Sequence, residues 1–293
     1  EGSDGEGSDG EGSDGEGSDE QGDARVEPGA PMSATVDARI AKVADALWQA
    51  ERTQTAIDRP SDDGLVSVDD AYAVQQHNVA RRLAAGERLV GRKIGITSKA
   101  VMEWLGVDQP DFGALLHSMA VDDGAACPVS TLIAPRVEGE VAFVLSRDLA
   151  SPHVTAVDVV DATAWIAASI EIIDSRVKDW KIKLADTIAD NASSARFVVS
   201  STQASLQGLD LPLVGCALRK NGRVASSGAG AACLGNPVNA VVWLARTLAA
   251  RGTPLRAGDL VLSGALCPVV PVAAGDVIDL DVGGVGRCSV RFG

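Results

Sequence analysis

The hydrophobic period of the chain changes at Leu89, and that change limits the folds open to it. Before this point Val36, Ile40, Val43, Leu47 and Ala50 recur at helical spacing, which predicts an amphipathic helix. A second helix is predicted to open at Ser67, a capping residue followed by Asp69 and Asp70, and to close at Gly86. From Leu89 onward short β-rich runs are divided by Gly, Pro and Asp turns, at 89–96, 137–145, 169–173, 196–199, 213–218, 260–262, 277–282 and 288–292. In one of them Asp279 and Asp281 alternate with Ile278, Leu280 and Val282, the pattern of a half-buried strand. Helices are expected near 98–105, 155–168 and 237–251, the last with Asn236 as cap, Pro237 in its first turn and Gly252 beyond its end. Helices first and strands after, without regular βαβ alternation, give an α+β fold. It comprises a small helical N-terminal part, residues 32–88, and a β-rich domain, residues 89–293.

Residues 1–31 read as a tail. Four copies of a five-residue Gly/Ser/acidic unit fill the first 20 positions and cannot bury enough apolar surface to offset the entropy of ordering. They also carry −9 of the formal charge of −14, and from Met32 the chain is only −4. The body therefore has no broad basic surface for nucleic acid or anionic lipid. Polar residues punctuate every apolar run, so no membrane span is expected. The five cysteines (Cys127, Cys216, Cys233, Cys267 and Cys288) lie far apart without a CxxC pair, which suits reduced, buried thiols and a cytoplasmic protein.

Chemistry concentrates in acidic residues that sit in apolar runs. In the strand Val137–Leu145, Glu138 and Glu140 are two apart and face the same side. Such a pair suits a solvent-facing strand edge; it also suits a cation, because adjacent carboxylates repel unless a proton or positive charge lies between them. Glu171 lies in the apolar run Ala-Ala-Ser-Ile-Glu-Ile-Ile, where an unpaired carboxylate is costly. Arg136 or Arg176 could pair with it. Three carboxylates together, without a Cys/His set, would suit a hard cation, Mg²⁺ or Mn²⁺. Lys93, inside the short strand Gly91–Thr97, either snorkels from an edge or faces inward with a shifted pKa. Asp111 and the run Ala189–Ser194 read as loop, a setting where Asp, Asn and Ser make turns more often than sites. His77, His117 and His153 lack metal-ligand spacing, and dinucleotide, Walker and nucleophile-elbow motifs are absent.

Six stretches carry a resemblance: GRKIGITSKAV (91–101), LGVDQPDFGALL (105–116), PRVEGEVAFVL (135–145), IEIIDSRVKDWKIKLADTIADNASS (170–194), CLGNPVNAVVWLA (233–245) and GDLVLSGAL (258–266). Together they resemble the 2-keto-4-pentenoate hydratase group of the fumarylacetoacetate hydrolase superfamily, from about residue 36 to the C-terminus. The resemblance implies a metal on Glu138, Glu140 and Glu171, polar active-site groups at Lys93, Asp111 and Ser193, and assembly into homo-oligomers. It implies hydration of 2-hydroxypenta-2,4-dienoate or a close homologue to 4-hydroxy-2-oxopentanoate, a step in aromatic-compound catabolism. The alternatives are a 4-oxalocrotonate-type decarboxylase and a non-catalytic subunit partnering a decarboxylase or aldolase of the pathway. The His–Glu pair that the superfamily's hydrolases use to activate water has no counterpart here. Since its composition gives the tail nothing to add to a core, deleting residues 1–31 should leave the melting temperature and turnover nearly unchanged, as calorimetry and a steady-state assay would check.

Overall fold

In the computed structural model, residues 34–65 and 67–293 are described, so the reading of the acidic tail lies outside the described residues. Two helices come first, α1 (Ala34–Thr53) and α2 (Val68–Ala84). The Ser67 hydroxyl caps α2 by accepting from the Asp70 amide at 3.0 Å, and Gly86 lies just past its end with φ +90°. Ile40, Val43 and Leu47 of α1 and Ala71 and Val74 of α2 are buried. They belong to the same core as the strands of the C-terminal part, so the helical segment packs into the β-rich body.

Those strands form two sheets. The larger contains β1 (Leu89–Gly95), β2 (Asp111–Leu116), β4 (Arg136–Leu145), β5 (Thr163–Ile173), β6 (Ser194–Val199) and β9 (Leu260–Leu262). Their order is β2-β1-β9-β4-β5-β6, with the short β10 (Val270–Pro271) on β4. β1 and β9 run parallel, while the other neighbours are antiparallel. The second sheet has the order β3-β12-β11-β7-β8, built from β3 (Ala126–Cys127), β7 (Gly215–Lys220), β8 (Arg223–Ala229), β11 (Val277–Val282) and β12 (Gly286–Phe292). Helices α3 (Lys99–Leu105), α4 (Ala156–Ala162), α5 (Leu184–Ala189) and α6 (Pro237–Ala250) fill the connections. Among the described residues no helix is long and apolar enough to cross a membrane, and all five cysteines are buried and free.

The central strand β4 divides its side chains as a two-period element must. Val137, Val141 and Phe143 enter the main core. Gly139 lies on that same face, where an added Cβ would stand 2.5 Å from Leu280 of β11 and 3.1 Å from Cys216 of β7. A bare glycine thus lets the second sheet close on the first. The opposite face carries Glu138 and Glu140, then Ala142 and Val144 in a smaller apolar cluster with Leu115, Phe197 and Leu262.

Some boundaries differ from expectation. The helix expected over 155–168 stops at Ala162, and β5 starts at Thr163 instead of Ser169. The Thr155–Asp158 capping box starts that helix, but pairing of Thr163–Ala168 with Leu145–Val141 of β4 claims the next residues for the sheet. Asp111 is not in a loop: it opens the fully buried strand β2 and pairs with Gly95 of β1. The turn chemistry of its surroundings ends at Pro110. β8 was not anticipated, because its Ser and Gly residues lack a strand's apolar alternation; it lies at the sheet edge and is mostly exposed.

Two polar ties fasten the helical segment to the body. The Gln75 side-chain amide of α2 donates to Phe112 O of β2 and to Ile188 O of α5, both at 2.9 Å. Asp186 of α5 accepts from the amide and hydroxyl of Ser61, each at 2.8 Å. Within the sheet, the register of β1 depends on Gly91, where an added Cβ would lie 1.8 Å from the carbonyl oxygen of Leu260. Gly91→Ala should therefore force β1 away from β9 and destabilise the protein by about 2–3 kcal/mol, the scale of overpacking a dense interior. Urea unfolding would measure it.

Candidate active site

The buried pairing of β4 with β5 sets two carboxylates directly opposite one another. Glu138 is in register with Glu171, and Glu140 with Ser169. Antiparallel partners share a face, so Glu138, Glu140 and Glu171 converge, with carboxylate oxygens within 4.8 Å of one another. Glu140 and Glu171 are wholly buried. Like charges at this spacing need compensation, and the protein supplies it in part. Lys93 of β1, also buried, places Nζ 3.4 Å from Glu171 Oε2. The amide of Gly264 donates to Glu140 Oε2 at 2.8 Å. That residue must be glycine, because φ is +108° and a Cβ would meet Thr97 Oγ1 at 2.3 Å.

Arg136 and Arg176, the partners considered for Glu171, are engaged elsewhere. Arg136 lies over the Trp180 ring at 4.4 Å, and Arg176 forms a buried ion pair with Asp190. One ammonium against three carboxylates leaves a deficit of positive charge. Both oxygens of Glu171 and Oε1 of Glu140 are buried and accept no hydrogen bond. Burial first, then the charge of Glu171, pushes Glu138 up to about 7, and the same causes raise Glu140 well above the carboxylate range. Burial pulls Lys93 down, but the carboxylates around it, Glu171 foremost, outweigh this and hold it above the usual lysine range. An all-oxygen donor set, surplus negative charge and orphaned buried oxygens fit a hard divalent cation.

Beside the glutamates opens a cleft lined by Lys93, Asp111, Glu138, Thr187 and Ser193, with Arg136 at its wall. Lys93 and Asp111 approach each other over the bare face of Gly95, where a Cβ would lie 2.2 Å from Asp111 Oδ1 and 3.2 Å from Lys93 Nζ. Thr187 donates to Asp111 Oδ2 at 3.2 Å, leaving Oδ1 without a partner. Burial raises the Asp111 pKa, against the opposing pull of Lys93. The Ser193 hydroxyl is likewise buried and unpartnered. It sits in a turn in which Asn191, Ala192 and Ser193 all have positive φ, 55°, 51° and 54°. Such conformations cost about 1–3 kcal/mol each and persist where the surroundings over-determine them. Trp104, Trp180, Ile182 and Val269 make the remaining wall largely apolar.

All six residues singled out in the sequence thus border one site. Asp111, read as loop, opens a strand, whereas the stretch at 190–193 is a turn as read, and Asp111, Ala192 and Ser193 line the cleft. Thr187, Gly264 and Trp180 were missed. Thr187 had a usable signal, a hydroxyl one turn ahead of the Asp-Asn-Ala-Ser-Ser run; the amide of Gly264 could not be placed without the fold.

The matching family model is that of the fumarylacetoacetate (FAA) hydrolase C-terminal region, which covers residues 91–292. The chain belongs to the fumarylacetoacetate hydrolase family. Within it, the chain is similar to hydratases: it is 52% identical over 227 residues to the 2-keto-4-pentenoate hydratase of Paraburkholderia xenovorans (strain LB400), covering 78% of this chain and 84% of that one. It is 50% identical to the 2-hydroxyhexa-2,4-dienoate hydratase of Comamonas testosteroni, covering 78% and 87%. A solved structure of 4-oxalocrotonate decarboxylase from Pseudomonas putida G7, complexed with magnesium and adipate, superposes with a TM-score of 0.85 at 37% identity, covering 89% of this chain and all of that one.

Calorimetric titration should show a divalent cation binding to the protein, and Glu171→Gln should weaken it by roughly tenfold or more with the circular dichroism unchanged. Because Glu138 sits at about 7, cation binding must displace a proton below that pH. Affinity should therefore fall as the pH is lowered from about 8 to about 6.

Proposed function

We propose that this protein is a metal-dependent hydro-lyase that adds water to 2-hydroxypenta-2,4-dienoate, or a close homologue, to give 4-hydroxy-2-oxopentanoate. The carrying observation is that Lys93, Asp111 and Ser193 line one cleft together with Glu138, whose carboxylate clusters with those of the buried Glu140 and Glu171. The half-identity to curated hydratases supports it. Glu138, Glu140 and Glu171 would hold Mg²⁺ or Mn²⁺, which supplies Lewis-acid stabilisation of negative charge on a 2-oxo acid.

The reaction needs proton delivery to carbon five of the dienol, addition of water at carbon four of the resulting enone, and a proton at carbon three. Lys93, held protonated among carboxylates, and Asp111, raised by burial, are the general acid–base pair for these transfers. Ser193 offers a hydroxyl with no other partner, placed to orient water or a substrate oxygen. The apolar wall of Trp104, Ile182 and Val269 receives the hydrocarbon end and keeps bulk water from the enolate. Assembly into a homo-oligomer, and association with a pathway decarboxylase or aldolase, accompany this reading.

A 4-oxalocrotonate-type decarboxylase is the second reading, favoured by the superposition at TM-score 0.85. It would share the metal site and need a dry pocket for a second carboxylate, but no placed water. The acid–base groups beside the glutamates, and the higher identity to hydratases, favour hydration. Product analysis by NMR in deuterium oxide should show hydration of 2-hydroxypenta-2,4-dienoate far outpacing release of carbon dioxide from 2-oxohex-3-enedioate. Lys93→Ala should lower turnover roughly a hundredfold or more, the scale of a positioned acid–base group. Dominant carbon dioxide release would establish the second reading.

A further inference from the structure

The turn that carries Ser193 is held far more firmly than a surface loop requires. Asn191 brackets one residue of the neighbouring edge strand: its Oδ1 accepts from Ala114 N at 2.7 Å and its Nδ2 donates to Ala114 O at 2.9 Å. Since β2 ends the sheet, this amide takes the place of a further strand. Gly113 makes the approach possible, because a Cβ there would lie 2.4 Å from Asn191 O. Behind the turn the buried Arg176 pairs through Nε with Asp190 Oδ1 and donates from Nη2 to Asp190 O at 2.6 Å, while both Nη1 and Nη2 reach Ser194 O at 3.3 Å. Ser193 N donates to Asp190 O at 2.9 Å, and Ser193 O accepts from Asp174 N at 2.8 Å.

The turn is thus held from both sides, three successive residues are kept left-handed, and of the two buried hydroxyls left without a partner there, those of Ser193 and Ser194, Ser193 belongs to the residue that lines the cleft. We infer that Asn191, braced by the Arg176–Asp190 ion pair, is a positioning residue that fixes the Ser193 hydroxyl at the cleft wall for the reaction. Asn suits the task on two counts. Its side chain tolerates the left-handed region better than other non-glycine residues, and it offers one donor and one acceptor in a plane, as a strand does.

The inference rests on the cleft being the site of hydration, and a double-mutant cycle separates the two. Asn191→Asp keeps the size and the acceptor but sets a carboxylate against Ala114 O. It should lower kcat by tenfold to a hundredfold, the order expected from a misplaced reacting group, with a smaller change in KM. Ser193→Ala should cost on the order of a hundredfold, as for loss of an oriented donor. Combined, they should be no worse than Ser193→Ala within about twofold, because the first acts through the hydroxyl that the second removes. Mg²⁺ affinity, which reads the glutamates, should be unchanged in all three variants. Additive losses, or an Asn191→Asp enzyme with wild-type kcat, would overturn the inference while leaving the hydratase reading intact. Should the wild type hydrate no dienoate, the hydratase reading fails. A crystal structure of the Asn191→Asp protein then decides: displacement of Ser193 Oγ from the cleft wall sustains the positioning role, and an unmoved turn refutes it.

Discussion

Everything around the cleft answers to the like charges that β4 and β5 bring face to face. Glu138 and Glu171 are register partners in the interior of a sheet, where such a pair would drive the strands apart in water-poor surroundings. The pairing survives because its neighbours on both sides are organised around it. β1 contributes Lys93, the loop after β9 contributes the amide of Gly264, and the remaining carboxylate oxygens form a cluster that could hold a cation. Gly91 and Gly139 serve the same end, permitting the close approach that puts β1 beside β9 and the second sheet against β4. Stability has been given up locally so that charge can be concentrated.

The architecture was legible in the sequence where periodicity was clean. The capped α2, the half-buried β11 and the Asn236–Pro237 start of α6 all follow from residues acting locally. Errors arose where distant pairing overrules local preference. The alanine-rich stretch after Thr163 has helical composition, yet β4 draws it into extended pairing. Asp111 sits after a turn-like Gln-Pro, yet its backbone belongs to a strand. The three glutamates were recognisable because charge inside apolar runs is expensive and so needs a reason. Their convergence, the Lys93 contact and the Gly264 amide depend on strand order, which one-dimensional spacing does not encode.

The fold alone does not choose a reaction, since this family supports several chemistries on one scaffold. What the site adds to the glutamates is the company they keep. A lysine and an aspartate share the bare face of Gly95, a threonine steadies the aspartate, and a left-handed turn presents a serine. These groups come from β1, from β2 and from α5 with the turn that follows it, segments brought together by the tertiary structure.

The Gln75 side chain, which bonds Phe112 O and Ile188 O together, has a further meaning for how the protein is made. One amide from α2 spans sequence separations of 37 and 113 residues to join two walls of the cleft. During synthesis α2 leaves the ribosome early, and its Gln75 amide stays hydrated until α5 has been translated and can accept its bond. Two walls of the cleft are thus clasped by a residue outside its lining, and a circular permutation that severed α2 from its present neighbours would have to rebuild that clasp.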